Sequence, residues 1–281
     1  MLLTQTPART RGAERVAALA HAALLEELET WPKPGLVSLV DSGSHRDMDA
    51  GTLTRSAGAI RPFFTELAHA GEARADMSEL RRIGRAAEAA MMAATGGVNA
   101  HRGAIFSLGL ICAAAGARGY DPVAAEDHAN AVAALWGRAI LQSPHPATSH
   151  GGNAARIYGV GGARAEAAAG FPTLRVVGLP ALRHGRVLRP GDQEAARVQC
   201  LMTLMAAIDD TNLLHRGGGK GLAFAQLAAS RFLDAGGVGA PGWLGEIERL
   251  HRAFVARNLS PGGTADLLAA TLFLDALECD R

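Results

Sequence analysis

Cysteine, aromatic residues and surplus charge are all scarce in this sequence. Cys112, Cys200 and Cys279 are the only cysteines among 281 residues. They are odd in number, far apart and mostly in apolar stretches. That excludes a disulfide framework or a zinc site and fits a reduced, cytoplasmic protein. Lys and Arg total 28 against 27 Asp and Glu, a net charge of +1 with no basic block. A nucleic-acid partner held by bulk electrostatics is therefore not expected. The most apolar uncharged run, 103–117, falls short of the roughly 20 residues that cross a membrane. It reads as a buried helix. The N-terminal residues lack an apolar h-region, so no secretory signal is expected. What the chain does have is 48% hydrophobic residues, which excludes disorder, and 34 glycines, more than an ordinary globular chain carries.

The dominant period is helical. Val16, Leu19, Ala20, Ala23, Leu24 and Leu28 share one face before Pro32 and Pro34 end the segment. Further helices are expected over 53–70, 78–94 with Ser78 as N-cap, 104–115, and from Asp121-Pro122 to about 141. The same pattern continues over 154–158, 163–169, 174–182, 193–208, 222–235, 244–257 and 264–278. Strand signals are confined to 36–40 and 174–177, without hairpin chemistry. The expected fold is all-α: a single compact multi-helix domain of roughly ten helices, with functional inter-helix loops. Residues 1–12 are expected to form a disordered or frayed tail, and 13–281 the catalytic domain. Few aromatics with much alanine and glycine suit helices packed closely through small residues.

Five segments interrupt the apolar pattern with Gly, Asp, Asn, His and Arg together: 31–49, 96–103, 159–166, 209–221 and 260–268. A loop that only turns needs Gly, Pro, Asn or Asp. Histidines and arginines ask for more. In the first segment His45, Asp47 and Asp49 alternate, so an extended backbone puts them on one side, where two carboxylates can hold Mg²⁺. A solvated turn with an N-capping Asp is the equal alternative. Lys33, between two prolines, suits a fixed phosphate contact, or simply marks the helix end. Asp209 and Asn212 sit at i, i+3, with His215 and Arg216 a turn later. The Asp209-Asp210 pair is costly to bury unless paired or metal-bound, with Arg216 or Lys220 as the plain neutralisers. Gly96-Gly97, Gly217–Gly219 and Gly262-Gly263 flank expected helix starts, where free backbone N–H groups attract anions. No P-loop, HExxH, GxSxG or paired CxxC occurs, and the GxGxxG letters at 237–242 follow no strand.

At these same segments the sequence resembles the triphosphoribosyl-dephospho-CoA synthase family over about residues 14–277. The marks are PKPGLV (32–37), GSHRDMD (43–49), GVNAHRGAIFSLGLICAAAG (97–116), YGVGGARAEAAAGFP (158–172), DTNLLHRGG (210–218) and LSPGGTADLLAA (259–270). The wording of VDSGSH (40–45) and SHGG (149–152) is similar to the malonate decarboxylase branch rather than the citrate lyase branch. Two departures stand out. Ser38 replaces the Asp that follows PKPGLV in many relatives, which makes Asp41 the candidate for that role. Asn99-Ala100-His101 replaces Asn-Thr-His, a loss of at most one hydrogen bond.

The resemblance implies transfer of the triphosphoribosyl group of ATP to the 2′-hydroxyl of 3′-dephospho-CoA, with adenine released. The product would be the precursor of an acyl-carrier prosthetic group. It implies Mg²⁺ on Asp47, Asp49, Asp209 or Asp210, and phosphate neutralisation by Lys33, Arg102, Arg164 and Arg216. Asn99, Asn212, His215, Gly217, Gly218, Gly262 and Gly263 complete the expected nucleotide-binding set. A carboxylate must stabilise the oxocarbenium-like state and a base must take the hydroxyl proton. Asp41, Glu166 and Asp209 are the candidates, with His45 or His101 as proton donor to adenine. ATP and 3′-dephospho-CoA are the expected ligands, the downstream acyl-carrier holo-transferase is left open as a protein partner, and nucleic acid and membrane are not expected. Two alternatives remain: a Mg²⁺-dependent helical N-glycohydrolase, and a non-catalytic nucleotide-binding assembly protein.

Overall fold

The computed structural model describes residues 6–120, 125–142 and 157–279. Among them there are eleven α-helices and no strand. In chain order they are α1 (Thr6–Glu29), α2 (Ala50–Glu72), α3 (Met77–Ala94), α4 (Arg102–Ala117), α5 (Ala125–Gln142) and α6 (Gly162–Ala168). After a π-helical turn over Leu174–Gly178 come α7 (Leu179–Leu188), α8 (Gln193–Ala207), α9 (Thr211–Asp234), α10 (Trp243–Ala256) and α11 (Gly262–Cys279). No described helix is long and apolar enough to cross a membrane.

The apolar run at 103–117 is the buried helix its composition implies. It forms α4, apolar on every face and enclosed by α1, α2, α3, α5 and α11. Small residues set how closely α2 approaches it. A Cβ on Gly71 would collide with the carbonyl of Ala113, and one on Gly116 with the carbonyl of Ala68. The α8 helix then serves two apolar clusters. Ala196, Cys200, Leu201 and Leu204 join the cluster around α4, whereas Ala195, Val198, Met202 and Met205 face α9 and α10.

Several boundaries differ from the periodicity, each for a local reason. The expected tail is helical from Thr6 onward. Asp76, not Ser78, caps α3, because its Oδ1 accepts from the N–H groups of Ser78 and Glu79 at 2.9 and 3.0 Å. The stretches at 36–40 and 174–177 form irregular bends and a π-helical turn respectively. The segment 209–221 is not a loop. Helix α9 already begins at Thr211 and breaks at Gly218, whose φ of 60° and ψ of −163° leave the helical region. Glycine tolerates that break without a Cβ penalty. The expected helix start at 121–122, and most of the helix at 154–158, lie outside the described residues.

Candidate active site

The irregular chain between α1 and α2 is pinned across the fold rather than to its neighbours. Ser44 Oγ donates to the carbonyl of Leu259 at 2.6 Å, and His45 Nε2 lies 2.9 Å from Ser260 Oγ. Arg216 secures the same junction. Its guanidinium donates to the carbonyls of Ser44 (3.0 Å) and Asn258 (3.3 Å) and contacts the His45 ring at 3.2 Å. Burial and the Arg216 charge both lower the His45 pKa, so its imidazole is held neutral.

Beside this junction two helix starts meet on one carboxylate. Asp210 Oδ1 accepts from the N–H groups of Asn212 (2.8 Å) and Leu213 (3.2 Å), which caps α9. Its Oδ2 accepts from Thr264 N (2.7 Å) and Thr264 Oγ1 (2.8 Å) at the first turn of α11. Gly263 makes the approach possible, since a Cβ there would stand 3.2 Å from the carboxylate. A carboxylate has about four lone-pair sites, and here four donors occupy them. Asp210 is thus a shared helix cap and not the metal ligand its sequence position suggested. Burial raises its pKa against the pull of those donors.

Two residues further along α11, Asp266 reaches the N-terminus of α4. It accepts from the Ala104 N–H, and a Cβ on Gly103 would collide with its Oδ2. Loss of solvent, followed by the charges of Glu27 and Asp210, holds its pKa well above the usual carboxylate range. Glu27 is itself buried and paired with Lys33, whose ammonium donates to Glu27 Oε1 and to the Glu27 carbonyl, each at 2.5 Å. His101 shares this region. Its Nδ1 lies 2.6 Å from Ser56 Oγ.

These groups surround one cavity of about 1950 Å³. Single ligand pockets run to about 1,000 Å³, so the space suits two nucleotide-sized molecules. Of the residues singled out in the sequence, His45, Asp47, Asn99, His101, Arg102, Arg164, Glu166, Asp209, Asp210, Asn212, His215, Arg216, Gly262 and Gly263 line the cavity. Glu166 is half-buried, with Oε1 and Oε2 accepting from Thr173 N (2.7 Å) and Thr173 Oγ1 (3.0 Å). Arg164 donates to the carbonyls of Ile140 and Leu141 at the end of α5.

Five expected residues lie elsewhere. Lys33 is fully buried and consumed by Glu27. Asp41 faces away and contacts His251 Nε2 at 3.1 Å. Asp49 is the N-cap of α2, accepting from Thr52 N and Thr52 Oγ1 at 2.8 and 2.7 Å. Gly217 and Gly218 form the break in α9, where a Cβ on Gly217 would strike Leu259. Conversely, Glu27, Arg81, Arg85, Glu88 and Asp266 line the cavity without having been singled out. Asp266 alone was legible in principle, since it stands inside the 260–268 segment. The others sit on helix faces whose burial no local pattern reveals.

The position of His101 has a measurable consequence. Burial, with the nearby Lys33 charge, lowers its pKa from 6.5 to about 4. The unfolded chain takes up this proton near pH 6.5 and the folded chain only near 4. Stability contributed by the neutral ring is complete above about pH 6.5 and is lost as pH falls toward 4. His128 on α5 is shifted alike, to about 4. Melting temperature is expected to fall between pH 7 and pH 4.5, less steeply in His101→Gln. An unchanged slope in that variant would refute the assignment.

Fold and site together define a helical protein that gathers both signs of charge around one large cavity, the class expected of a group-transfer enzyme acting on polyanions. A family model described as ATP:dephospho-CoA triphosphoribosyl transferase (CitG) matches residues 13–281. The chain is 44% identical to a probable 2-(5''-triphosphoribosyl)-3'-dephosphocoenzyme-A synthase of Pseudomonas paraeruginosa, over 98% of this chain and 94% of that protein. A protein of the same description from Azotobacter vinelandii is 43% identical over 95% of this chain and 92% of its own length. No solved structure matches. The chain belongs to the ATP:dephospho-CoA triphosphoribosyl transferase family.

Proposed function

We propose that this cavity joins the 5-triphosphoribosyl group of ATP to the ribose 2′-hydroxyl of 3′-dephospho-CoA and releases adenine. The observation that carries the site assignment is Asp266, set on the cavity wall near Glu27 and Asp210. Its ionised form is unfavourable there until positive charge develops at the anomeric carbon of ATP. That makes its interaction stronger in the transition state than in the ground state. With its pKa held well above the usual carboxylate range, Asp266 has a proton to give: it passes to the departing adenine, and the carboxylate left behind faces the oxocarbenium-like centre. The glycosidic C–N bond breaks, its electron pair leaves with adenine, and, as the new C–O bond forms, the proton of the incoming 2′-hydroxyl passes to a neutral cavity histidine, His45 or His101.

The triphosphate end is assigned to the junction of His45, Asp47, Asp209, His215 and Arg216. No group of three or more His, Cys, Asp or Glu among the described residues could cage a metal. Mg²⁺ needs no such cage, because it binds through one or two carboxylates plus substrate phosphates. Asp47, with its side chain 64% exposed, and the exposed Asp209 both line the cavity and fit that role. When bound, the ion would neutralise phosphate charge. The motif wording at 40–45 supports a malonate decarboxylase carrier as the destination of the product. Residues 13–281 act as one catalytic domain in this reading.

The test is incubation with ATP, Mg²⁺ and 3′-dephospho-CoA, reading adenine and the adduct by mass spectrometry. The expected result is equimolar adenine and adduct, with adenine release dependent on the acceptor. Adenine formed equally well without dephospho-CoA would make the protein a glycohydrolase instead, and ATP binding without any adenine would make it an assembly protein.

A further inference from the structure

Contacts order the cavity from end to end. At one end Arg216 and His45 meet Ser260. Asp210 and Thr264 follow, then Asp266 against Gly103 and Ala104. Beyond them Arg102 Nε stands 3.1 Å from Glu88 on α3. Residues 81, 85 and 88 of α3 are spaced i, i+4, i+7 and line the same wall. Arg164 approaches from α6, and the Arg81 charge adds to burial in lowering its pKa. Four guanidinium groups therefore collect at this end, opposed by the carboxylates of Glu88 and Glu166.

The wall beside these arginines is apolar. Met77 and Leu80 precede Arg81 on α3, and Phe106, Leu110 and Ile140 continue the lining. A cationic patch adjoining an apolar channel asks for a ligand with a phosphate group followed by a less polar arm.

We infer that Arg81, Arg85, Arg102 and Arg164 form the acceptor subsite: they bind the diphosphate of 3′-dephospho-CoA, whose pantetheine arm lies along Met77, Leu80, Phe106 and Ile140. This rests on the transferase reading above and adds where each substrate sits. Charge supports the choice. Four guanidiniums against two carboxylates leave a surplus of two positive charges, matching the two negative charges of a diphosphate diester. A triphosphate carries more and needs the metal-compatible carboxylates at the other end. ATP also has no arm to cover the apolar wall. Guanidinium forks grip phosphate oxygens in pairs, which holds the acceptor ribose in register with Asp266.

The experiment compares Arg85→Ala and Arg81→Ala/Arg85→Ala with wild type, in steady-state kinetics and in calorimetric titrations with 3′-dephospho-CoA and with ADP. Loss of a charge-assisted contact is worth at least about tenfold in affinity. The double variant should raise both KM and Kd for dephospho-CoA at least about tenfold, with KM for ATP changed less than about twofold. Wild type should bind dephospho-CoA more tightly than ADP, which lacks the pantetheine arm. A rise in KM for ATP instead, or an unchanged Kd for dephospho-CoA, would overturn the inference. Failure of wild type to form adduct would defeat the transferase reading separately, and the titrations would still read the subsite.

Discussion

Asp266→Asn is expected to lower adenine release by roughly 10²–10⁴-fold, the usual contribution of a positioned general acid. The substitution is nearly isosteric, and the amide oxygen can still accept from the Ala104 N–H. It also removes a carboxylate that desolvation and the charges of Glu27 and Asp210 make costly. Stability should therefore hold or rise while turnover falls, the pattern of a strained functional group. Calorimetric melting and adenine quantification on the same preparation check both halves. Wild-type turnover in the variant would remove Asp266 from the mechanism, and a large loss of melting temperature would mark it as structural. Nothing comparable is expected from Asp41→Asn, because that carboxylate lies outside the cavity against His251.

Asp210→Ala is expected to act in the opposite sense, on the fold first. It strips the N-terminal N–H groups of both α9 and α11 of their acceptor and leaves Thr264 Oγ1 without one of its partners. Leaving buried neutral donors without their acceptor costs about 1–3 kcal/mol each, so about 3–5 kcal/mol is expected for the site. At about 2–4 °C per kcal/mol for a chain of this size, melting should fall by about 6–20 °C. Circular dichroism melts measure it. Asp210→Asn should fall between the two, since its amide nitrogen cannot accept from a donor. Adding Mg²⁺ should not restore the loss. Full recovery of the melting temperature by Mg²⁺ would reinstate Asp210 as a metal ligand.

Both predictions concern carboxylates on which local reasoning and tertiary geometry disagree. Asp209 and Asp210 are adjacent, and from the chain alone each is an equal candidate ligand. In the fold the first is exposed on the cavity, while the second is consumed by two helix ends. Asp47 and Asp49 divide in the same way, because Asp49 caps α2 through Thr52. Lys33 illustrates the reverse error. Its prolines correctly ended α1, but the ammonium folds back onto Glu27 instead of facing a phosphate.

Helices were legible because their cause is local. Apolar spacing along α1, α3, α8 and α11, prolines at 32 and 34, and the apolar run of α4 each act within a few turns of chain. The cavity segments were legible for a related reason: polar and titratable residues crowded among glycines had no local structural need. Their sorting into caps, ion pairs and free groups was not local at all. It depends on Thr264 reaching Asp210, Gly103 making room for Asp266, and α3 turning Arg81 and Arg85 inward.

The scarcities of the sequence thus determined a good deal by themselves: a helical interior of small side chains, with no disulfide framework and no surplus charge. Only the tertiary structure decided that the balanced charge is unevenly spread, with arginines at one end of a cavity and a desolvated carboxylate near its middle. Composition sums charges over the chain, whereas electrostatic energy depends on distance and solvent exposure, and those exist only once the helices have packed.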